Sequence, residues 1–393
     1  MRLRFMKVQR LREIDFLRGV AISLVLFRHC HLFDFTDNIG WVGVDLFFVL
    51  SGFLVSGLLF REYKKHGDIK PSRFLIRRGF KIYPLYYLMY VLYLIPILLS
   101  GDVSISALLA DLTFVQNYVS GWGYAFEASW SLAIEEHFYF GLSLVLWIAL
   151  KTKKVDLQVA DEQTGMSQME KVILSIMVFC LFLRVMSNLG FPDQLTPNPT
   201  MTQLQIARNF TMTHLRIDSL LAGVLVSYLY QFRKERLLAL TRGRKKFLIV
   251  IILAGLCWTP FISPVYSFFV KTIGFSLLYI SFGLILTLFI TYERINERLD
   301  QLLPPAFVDM ISKIGFCSYS IYIVHPFVNM LFIDQLTKYV PINQYILFVL
   351  TSIISISLGF LMTNRIESYF LGIRDKYYPN RSGKPVLEPT LVQ

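Results

Sequence analysis

The first long apolar segment carries ionisable side chains that a plain membrane anchor does not need. Within residues 14–33, Arg18 and His29 stand 11 positions apart, close to three helical turns, which places them on one helix face about 16 Å apart. A charged residue near the centre of a membrane helix costs about 2.5–3.5 kcal/mol on insertion scales. The spacing alone fits a catalytic imidazole and a polar contact between helices equally well.

A second candidate is the carboxylate of Glu135, in the segment WSLAIEEHFYF at 130–140. Trp130 is typical of a membrane–water interface, which would put Glu135 about 7 Å below that interface, at a depth similar to that of His29. A carboxylate can orient an imidazole that acts as a base. Glu136 is rotated by about 100° from Glu135 on a helix, so we expect the two carboxylates to face different neighbours.

Asp45 lies at the start of another apolar segment, GVDLFFVLSGFLVSG at 43–57. Its position fits a helix cap and a place in the site equally well. In the same segment Gly52 and Ser56 are four positions apart, a spacing of small residues that permits close contact between helices.

Basic residues cluster just before the next apolar segment. Arg73, Arg77, Arg78 and Lys81 lie in SRFLIRRGFKIYPLYY, at 72–87. Taken alone, this cluster indicates cytoplasmic topology, because Lys and Arg are enriched in cytoplasmic loops. The functional alternative is an anion site, since arginine forks match phosphate oxygens.

Three polar positions farther along the chain favour structural roles. Arg216 and Asp218 are two positions apart and cannot face each other on a helix, so each needs a partner elsewhere, and a structural ion pair is the simpler interpretation. His325, in YSIYIVHP at 319–326, is also more typical of a structural position than of a catalytic one.

Composition shows which elements must position these residues. The chain of 393 residues is 55% hydrophobic and only 17% charged, with a mean hydropathy of +0.53, whereas soluble domains carry roughly a quarter charged residues. Lipid must therefore solvate much of the chain. The net charge of +12 fits the positive-inside rule, and without a basic stacking surface outside the membrane loops we exclude nucleic-acid binding.

The cysteines indicate neither a metal site nor disulfides. All four sit singly, without the paired spacing that zinc or disulfide frameworks need, and small buried side chains are the simplest interpretation. They are Cys30, Cys180, Cys257 and Cys317.

The hydropathy pattern predicts an all-α polytopic bundle of about ten transmembrane helices. Each predicted span has the length that a bilayer requires of a helix. The spans are 14–35, 43–60, 80–99, 130–150, 171–189, 212–230, 247–263, 268–291, 312–333 and 343–363.

The charged connections orient this bundle. Lys and Arg are abundant in 61–81, 151–171, 231–246 and 292–311, and scarce in the alternate connections. This asymmetry predicts that both termini are cytoplasmic, in the inner (cytoplasmic) membrane. We expect one membrane domain over residues 1–370 and a cytoplasmic tail, 371–393, that could be disordered.

Five motifs in order along the chain resemble the membrane acyltransferase-3 family, over about residues 13–365. Each motif is weak alone, whereas five in sequence on a ten-span pattern are specific. They are Arg18 and His29 with ten residues between them, GVDLFFVLSGFL at 43–54, RRGFKIYP at 77–84, WSLAIEEHFYF at 130–140 and YSIYIVHP at 319–326.

The resemblance implies transfer of an acyl group, usually acetyl from cytoplasmic acetyl-coenzyme A, to a sugar hydroxyl outside the cytoplasm. Acceptors in the family are typically lipopolysaccharide O-antigen, exopolysaccharide, peptidoglycan and related glycans of the cell envelope. Some members carry a C-terminal esterase-like domain, and this chain resembles the stand-alone form. The resemblance implies no metal.

Motif positions imply roles for individual residues. By resemblance His29 is the essential histidine, either general base or acyl carrier, with Arg18 as its partner and Glu135 as the acidic residue of the fourth-span motif; Asp45 is a further candidate. Arg77 and Arg78 match the basic pair linked with use of the donor, and Arg73 lies beside them. Lys81 stands where the family commonly has Arg, which loses bidentate phosphate geometry.

Two other interpretations remain open at this stage. A transporter of a small metabolite or a lipid-linked sugar would also place polar residues inside the membrane, although the paired Gly/Pro-broken spans of repeat-built transporters are not evident. The same enzyme could instead use succinyl- or a longer acyl-coenzyme A. The sequence does not define the acceptor, the acylated position or the oligomeric state.

Overall fold

The computed structural model describes residues 11–29, 32–152, 157, 165–189, 203–379 and 381, and the regular elements within these ranges are all helices. The α-helices are α1 (Arg12–His29), α2 (Asp34–Gly40), α3 (Val42–His66), α4 (Pro71–Ser100), α5 (Ile105–Leu112), α6 (Gln116–Val119), α7 (Trp130–Lys151), α8 (Gln168–Asn188), α9 (Gln203–Thr211), α10 (Ile217–Phe232), α11 (Lys234–Thr241), α12 (Lys245–Leu256), α13 (Phe275–Thr291), α14 (Ile295–Leu302), α15 (Pro305–Phe316), α16 (Ser318–Asn329), α17 (Gln344–Met362) and α18 (Ser368–Tyr377).

The predicted all-helical fold is confirmed, and each predicted span overlaps a helix. By length and composition five helices could cross a membrane. A sixth arises if α15 and the Ser318–Lys338 helix, which meet at 78°, form one bent span. The count of ten spans and the cytoplasmic termini stay predictions. The five are Asp34–His66, Pro71–Ser100, Glu127–Lys151, Val270–Thr291 and Gln344–Tyr377.

The crossing of α3 and α10 is built on glycines. A β-carbon at Gly52 would lie 1.9 Å from the backbone oxygen of Leu220, and one at Gly223 would lie 2.0 Å from that of Val49. Ser56, one turn from Gly52, is fully buried. The close contact predicted from Gly52 and Ser56 is confirmed, and it fixes the register of α3 against α10.

A second glycine crossing fixes α1 against α15. A β-carbon at Gly19 would lie 2.1 Å from the Ile311 oxygen, and one at Gly315 would lie 1.8 Å from the Asp15 oxygen. Only glycine permits such an approach of two backbones. The first turns of α1, which carry Asp15 and Arg18, are therefore held in a defined position.

Two buried ion pairs join the helices of the core. Arg216 Nη2 lies 2.8 Å from Asp45 Oδ1, and Arg184 pairs with Asp218. The guanidinium of Arg216 also lies 3.6 Å from the ring centre of Phe275. The prediction that Arg216 and Asp218 pair with other residues is confirmed.

The C-terminal segment, Asp375–Pro379 with Arg381, packs against the start of α4. Arg73 and Arg77 donate hydrogen bonds to the backbone oxygens of Pro379 and Tyr378. Arg381 donates to Asp68 at 2.6 Å, which lowers the pKa of that carboxyl. Helix α18 runs across the predicted domain boundary at 370, and residues 382–393 of the predicted tail lie outside the described residues.

The described cysteines are free thiols. Cys180 and Cys317 are buried, as predicted. Cys257, which follows the last residue of α12, is exposed, so the prediction was wrong there. Helix α12 packs mainly against α13, and Cys30 lies outside the described residues. Within the described ranges no cluster of three or more His, Cys, Asp or Glu side chains could hold a metal ion.

Candidate active site

A cavity of about 170 Å³ lies between α1, α3, α4, α7 and α16. Most of its wall is aliphatic and aromatic, with a set of polar side chains exposed to the space. The polar lining consists of Asp15, Arg18, Ser51, Arg78, Lys81, Ser131, Glu135, Ser318, Tyr319 and Tyr322.

The cavity is elongated along α3. Along α3 its lining runs from Val44 to Leu58, which corresponds to about 21 Å of helix and roughly two thirds of a hydrocarbon core of about 30 Å. On α1 the lining residues lie between Leu11 and Arg18. A cavity of this length can accommodate an extended chain.

Glu135 is held by three neighbours. Ser51 Oγ donates to Oε1 at 2.6 Å, and the Tyr139 hydroxyl donates to Oε2 at 2.7 Å. Arg78 Nη2 lies 3.7 Å from Oε2 and donates to the Tyr139 hydroxyl at 2.6 Å. Our sequence reasoning did not single out Ser51 or Tyr139, although the four-residue spacing of Glu135 and Tyr139 places them on one helix face.

The basic residues of the lining lie near carboxylates, one of which, Glu367, is not itself part of the lining. Arg18 lies 3.8 Å from Asp15, and Lys81 Nζ lies 3.8 Å from Glu367. With Arg78, these two cations give the lining three basic groups, each 3.7–3.8 Å from a carboxylate oxygen. Arginine side chains can bind an anion through charge-assisted hydrogen bonds.

The structure divides the predicted donor cluster in two. Arg78 and Lys81 line the cavity. Arg73 and Arg77 instead contact the C-terminal segment, where Arg77 also lies 3.1 Å from Asp375. Arg77 and Arg78 are adjacent on α4 and so point in directions about 100° apart.

Asp45 lies outside the cavity lining. Its carboxylate is fully buried and bonded to Arg216 and, at 3.4 Å, to Ser219. The start of α3 has no side-chain cap hydrogen bond, so the cap alternative is wrong, and a role of Asp45 in the reaction stays a prediction. Asp45 joins α3 to α10.

His29 is the last residue of α1 and is exposed. The helix is continuous from Arg18 to His29, so the predicted three-turn spacing holds. A β-carbon at Gly40 would lie 2.5 Å from the Leu24 oxygen and 2.6 Å from the Arg28 nitrogen, so residue 40 lies against the end of α1 between Leu24 and Arg28. On α3 the lining residue nearest this end is Val44, four residues farther along the chain.

The ring of His29 lies against a second histidine. The ring centres of His29 and His325 are 5.0 Å apart, and Asn329 donates to the His29 backbone oxygen at 3.0 Å. No hydrogen bond or ion pair joins His29 to Glu135 within the described part of the chain. His29 and Glu135 were predicted to lie at a similar depth in the membrane, but a similar depth does not by itself bring them into hydrogen-bonding contact.

The chain is similar to one known protein family and to individual bacterial proteins. A family model described as an acyltransferase domain matches residues 11–363. The chain is 26% identical to the peptidoglycan O-acetyltransferase OatA of Listeria monocytogenes, over 95% of this chain and 59% of the relative. It is 27% identical to the "Putative peptidoglycan O-acetyltransferase YrhL" of Bacillus subtilis, over 42% of this chain and 27% of the relative. The chain therefore spans about three fifths or less of these relatives' length. No solved structure matches it.

Proposed function

Because the chain belongs to the acyltransferase-3 family, we propose that it is a membrane-embedded O-acyltransferase that acts on a cell-wall glycan. The observation that carries this proposal is the cavity, which has basic groups in its lining and whose lining residue Tyr322 packs against His325, the ring neighbour of His29. The names of the Listeria and Bacillus relatives support peptidoglycan-type sugars as acceptors over lipopolysaccharide or exopolysaccharide sugars. Acetyl is the proposed acyl group.

Acetyl-coenzyme A is the proposed donor. Its phosphates are anionic, and Arg18, Arg78 and Lys81 are the basic side chains that line the cavity. Charge-assisted hydrogen bonds from arginine to phosphate are among the strongest in proteins. The apolar wall from Val44 to Leu58 suits the uncharged arm that carries the thioester.

His29 is the proposed catalytic base. In direct transfer its neutral imidazole takes the proton of the sugar hydroxyl while the oxygen bonds to the acyl carbon, the carbon–sulfur bond breaks, and the coenzyme A thiolate leaves. In the two-step alternative the imidazole nitrogen bonds to the thioester carbon, the carbon–sulfur bond breaks and the coenzyme A thiolate leaves. The sugar oxygen then bonds to the acyl carbon, the carbon–nitrogen bond breaks, and the hydroxyl proton passes to the freed imidazole. Both routes need the neutral ring, so activity should fall at acidic pH.

The proposed orientation follows from the chemistry of the two substrates. Coenzyme A is cytoplasmic and the glycan is outside, so the Leu58 end of the cavity faces the cytoplasm and His29 faces the acceptor. This places the protein in the cytoplasmic membrane with the start of α4 inside. The Lys and Arg asymmetry of the connections supports the same orientation.

The test is acyl transfer by purified protein in nanodiscs, with acetyl-coenzyme A and a peptidoglycan fragment, followed by mass spectrometry. His29→Ala should lower turnover by about 10²–10⁴-fold, the usual contribution of a general base. His66→Ala is the matched control, because His66 is exposed at the end of α3. Near-normal turnover of His29→Ala would show that the proposed site is misplaced. Succinyl-coenzyme A in place of acetyl-coenzyme A tests the donor.

A further inference from the structure

His325 is a buried histidine with an unused acceptor. Its side chain is fully buried in α16, and Nδ1 lies 3.3 Å from the backbone oxygen of Ile321. A carbonyl oxygen can only accept, so Nδ1 carries the hydrogen and Nε2 of the neutral ring keeps a lone pair. Nε2 is buried and has no hydrogen-bond partner among the residues that the structure describes.

This unused nitrogen belongs to a ring that lies close both to His29 and to a residue of the cavity wall. The ring of His325 is 5.0 Å from that of His29 and 5.6 Å from that of Tyr322, measured between centres. Tyr322 lines the cavity, and its hydroxyl lies 2.7 Å from Ser131 Oγ. His325 therefore lies next to His29 and next to Tyr322 of the cavity wall.

A histidine that serves only as packing usually has both ring nitrogens hydrogen-bonded, because an unsatisfied buried acceptor is costly. The Nε2 acceptor of His325 therefore requires a nearby hydrogen-bond donor. His29 is a neighbour that can supply one. Its ring centre lies 5.0 Å from that of His325, and the side chain is exposed at the end of α1.

We propose that His325 is a positioning residue for His29: Nε2 of His325 accepts the N–H of the His29 ring. This hydrogen bond fixes the tautomer and the orientation of His29, so that the lone pair on its other nitrogen faces the reacting group. The inference rests on the proposed function, since it assigns His325 a role in the same reaction. His325 itself contacts neither substrate.

The variants separate the acceptor nitrogen from packing. His325→Phe keeps a ring of similar shape without an acceptor, and His325→Gln keeps an acceptor. We expect His325→Phe to lower kcat roughly 10–100-fold, the loss of about one good hydrogen bond, with the KM for acetyl-coenzyme A unchanged. His325→Gln should recover part of the loss. Val324→Ala, at a neighbouring buried position, should change stability without lowering kcat.

A second measurement does not depend on catalysis. Diethyl pyrocarbonate modifies neutral imidazoles, and mass spectrometry can follow the rate at His29. His325→Phe should alter that rate several-fold, whereas Val324→Ala should not. An unchanged kcat for His325→Phe overturns the positioning role, and so does an unchanged His29 modification rate. If His29→Ala remains active, the proposed function fails, and the modification rate then shows separately whether the two rings are coupled.

Discussion

Removing one member of the Asp45–Arg216 pair should destabilise the protein far more than removing both. The two side chains are 1% and 0% exposed and are joined at 2.8 Å. The Arg216 guanidinium lies 3.6–5.7 Å from the ring centres of four aromatic side chains. Asp45→Asn leaves this cation buried without its counter-charge.

The expected magnitude follows from the burial. Breaking a buried ion pair by removing one partner costs about 3–5 kcal/mol, whereas replacing both partners with apolar residues is often neutral or stabilising by about 1–4 kcal/mol. The aromatic rings offset part of the loss in Asp45→Asn, since each cation–π contact contributes roughly 0.5–2 kcal/mol. We therefore expect Asp45→Asn to lose about 3 kcal/mol and the Asp45→Leu/Arg216→Met double variant to be close to wild type.

Denaturant unfolding in detergent micelles, followed by tryptophan fluorescence, measures this difference. Trp130 is a local reporter, because its ring centre lies 5.6 Å from the Arg216 guanidinium. Glu297→Gln is the control, since it breaks the exposed Arg294–Glu297 pair, for which about 0–1 kcal/mol is expected. Wild-type stability of Asp45→Asn would refute the reasoning. A double variant that folds but transfers no acyl group would place Asp45 in the reaction.

Two further predictions concern the donor and the membrane. Arg78→Ala should raise the KM for acetyl-coenzyme A several-fold more than Arg77→Ala, because Arg78 lines the cavity and Arg77 contacts the C-terminal segment; equal effects in transfer kinetics would contradict this division. With the native cysteines replaced by serine, an impermeant thiol reagent should label Ser106→Cys and not Ser72→Cys in intact cells. The reverse pattern would invert the proposed orientation.

Sequence reasoning was most reliable where one helix determines the outcome. The spacing of Arg18 and His29 depends only on helical rise, and α1 preserves it. The small residues Gly52 and Ser56 predicted a close crossing for the same reason. The sequence pattern did not predict which helix packs against α3. That α10 is this neighbour depends on the packing of the whole bundle.

The site was predicted less completely because neighbouring residues on a helix point in different directions. Arg77 and Arg78 are equivalent in a loop-charge argument, yet only Arg78 lines the cavity. The depth of a residue along the membrane normal also does not determine its position in the membrane plane. Glu135 and His29 were therefore expected together, whereas Glu135 is bonded to Ser51 and Tyr139.

The ion pairs of α10 also have a consequence for the time course of synthesis. Asp45 precedes Arg216 by 171 residues, which a ribosome takes roughly 9–34 s to add at about 5–20 residues per second. During that interval Arg216 has not yet been synthesised, so the Asp45 carboxylate lacks its counter-charge. We expect this end of α3 to stay in the hydrated headgroup region, or the Asp45 carboxyl to be protonated. Arg184 lacks its partner for a shorter time, because Asp218 follows it by only 34 residues. The missing partners, Arg216 and Asp218, lie together at the start of α10. When α10 inserts, it therefore neutralises Asp45 of α3 and Arg184 of α8 in a single step.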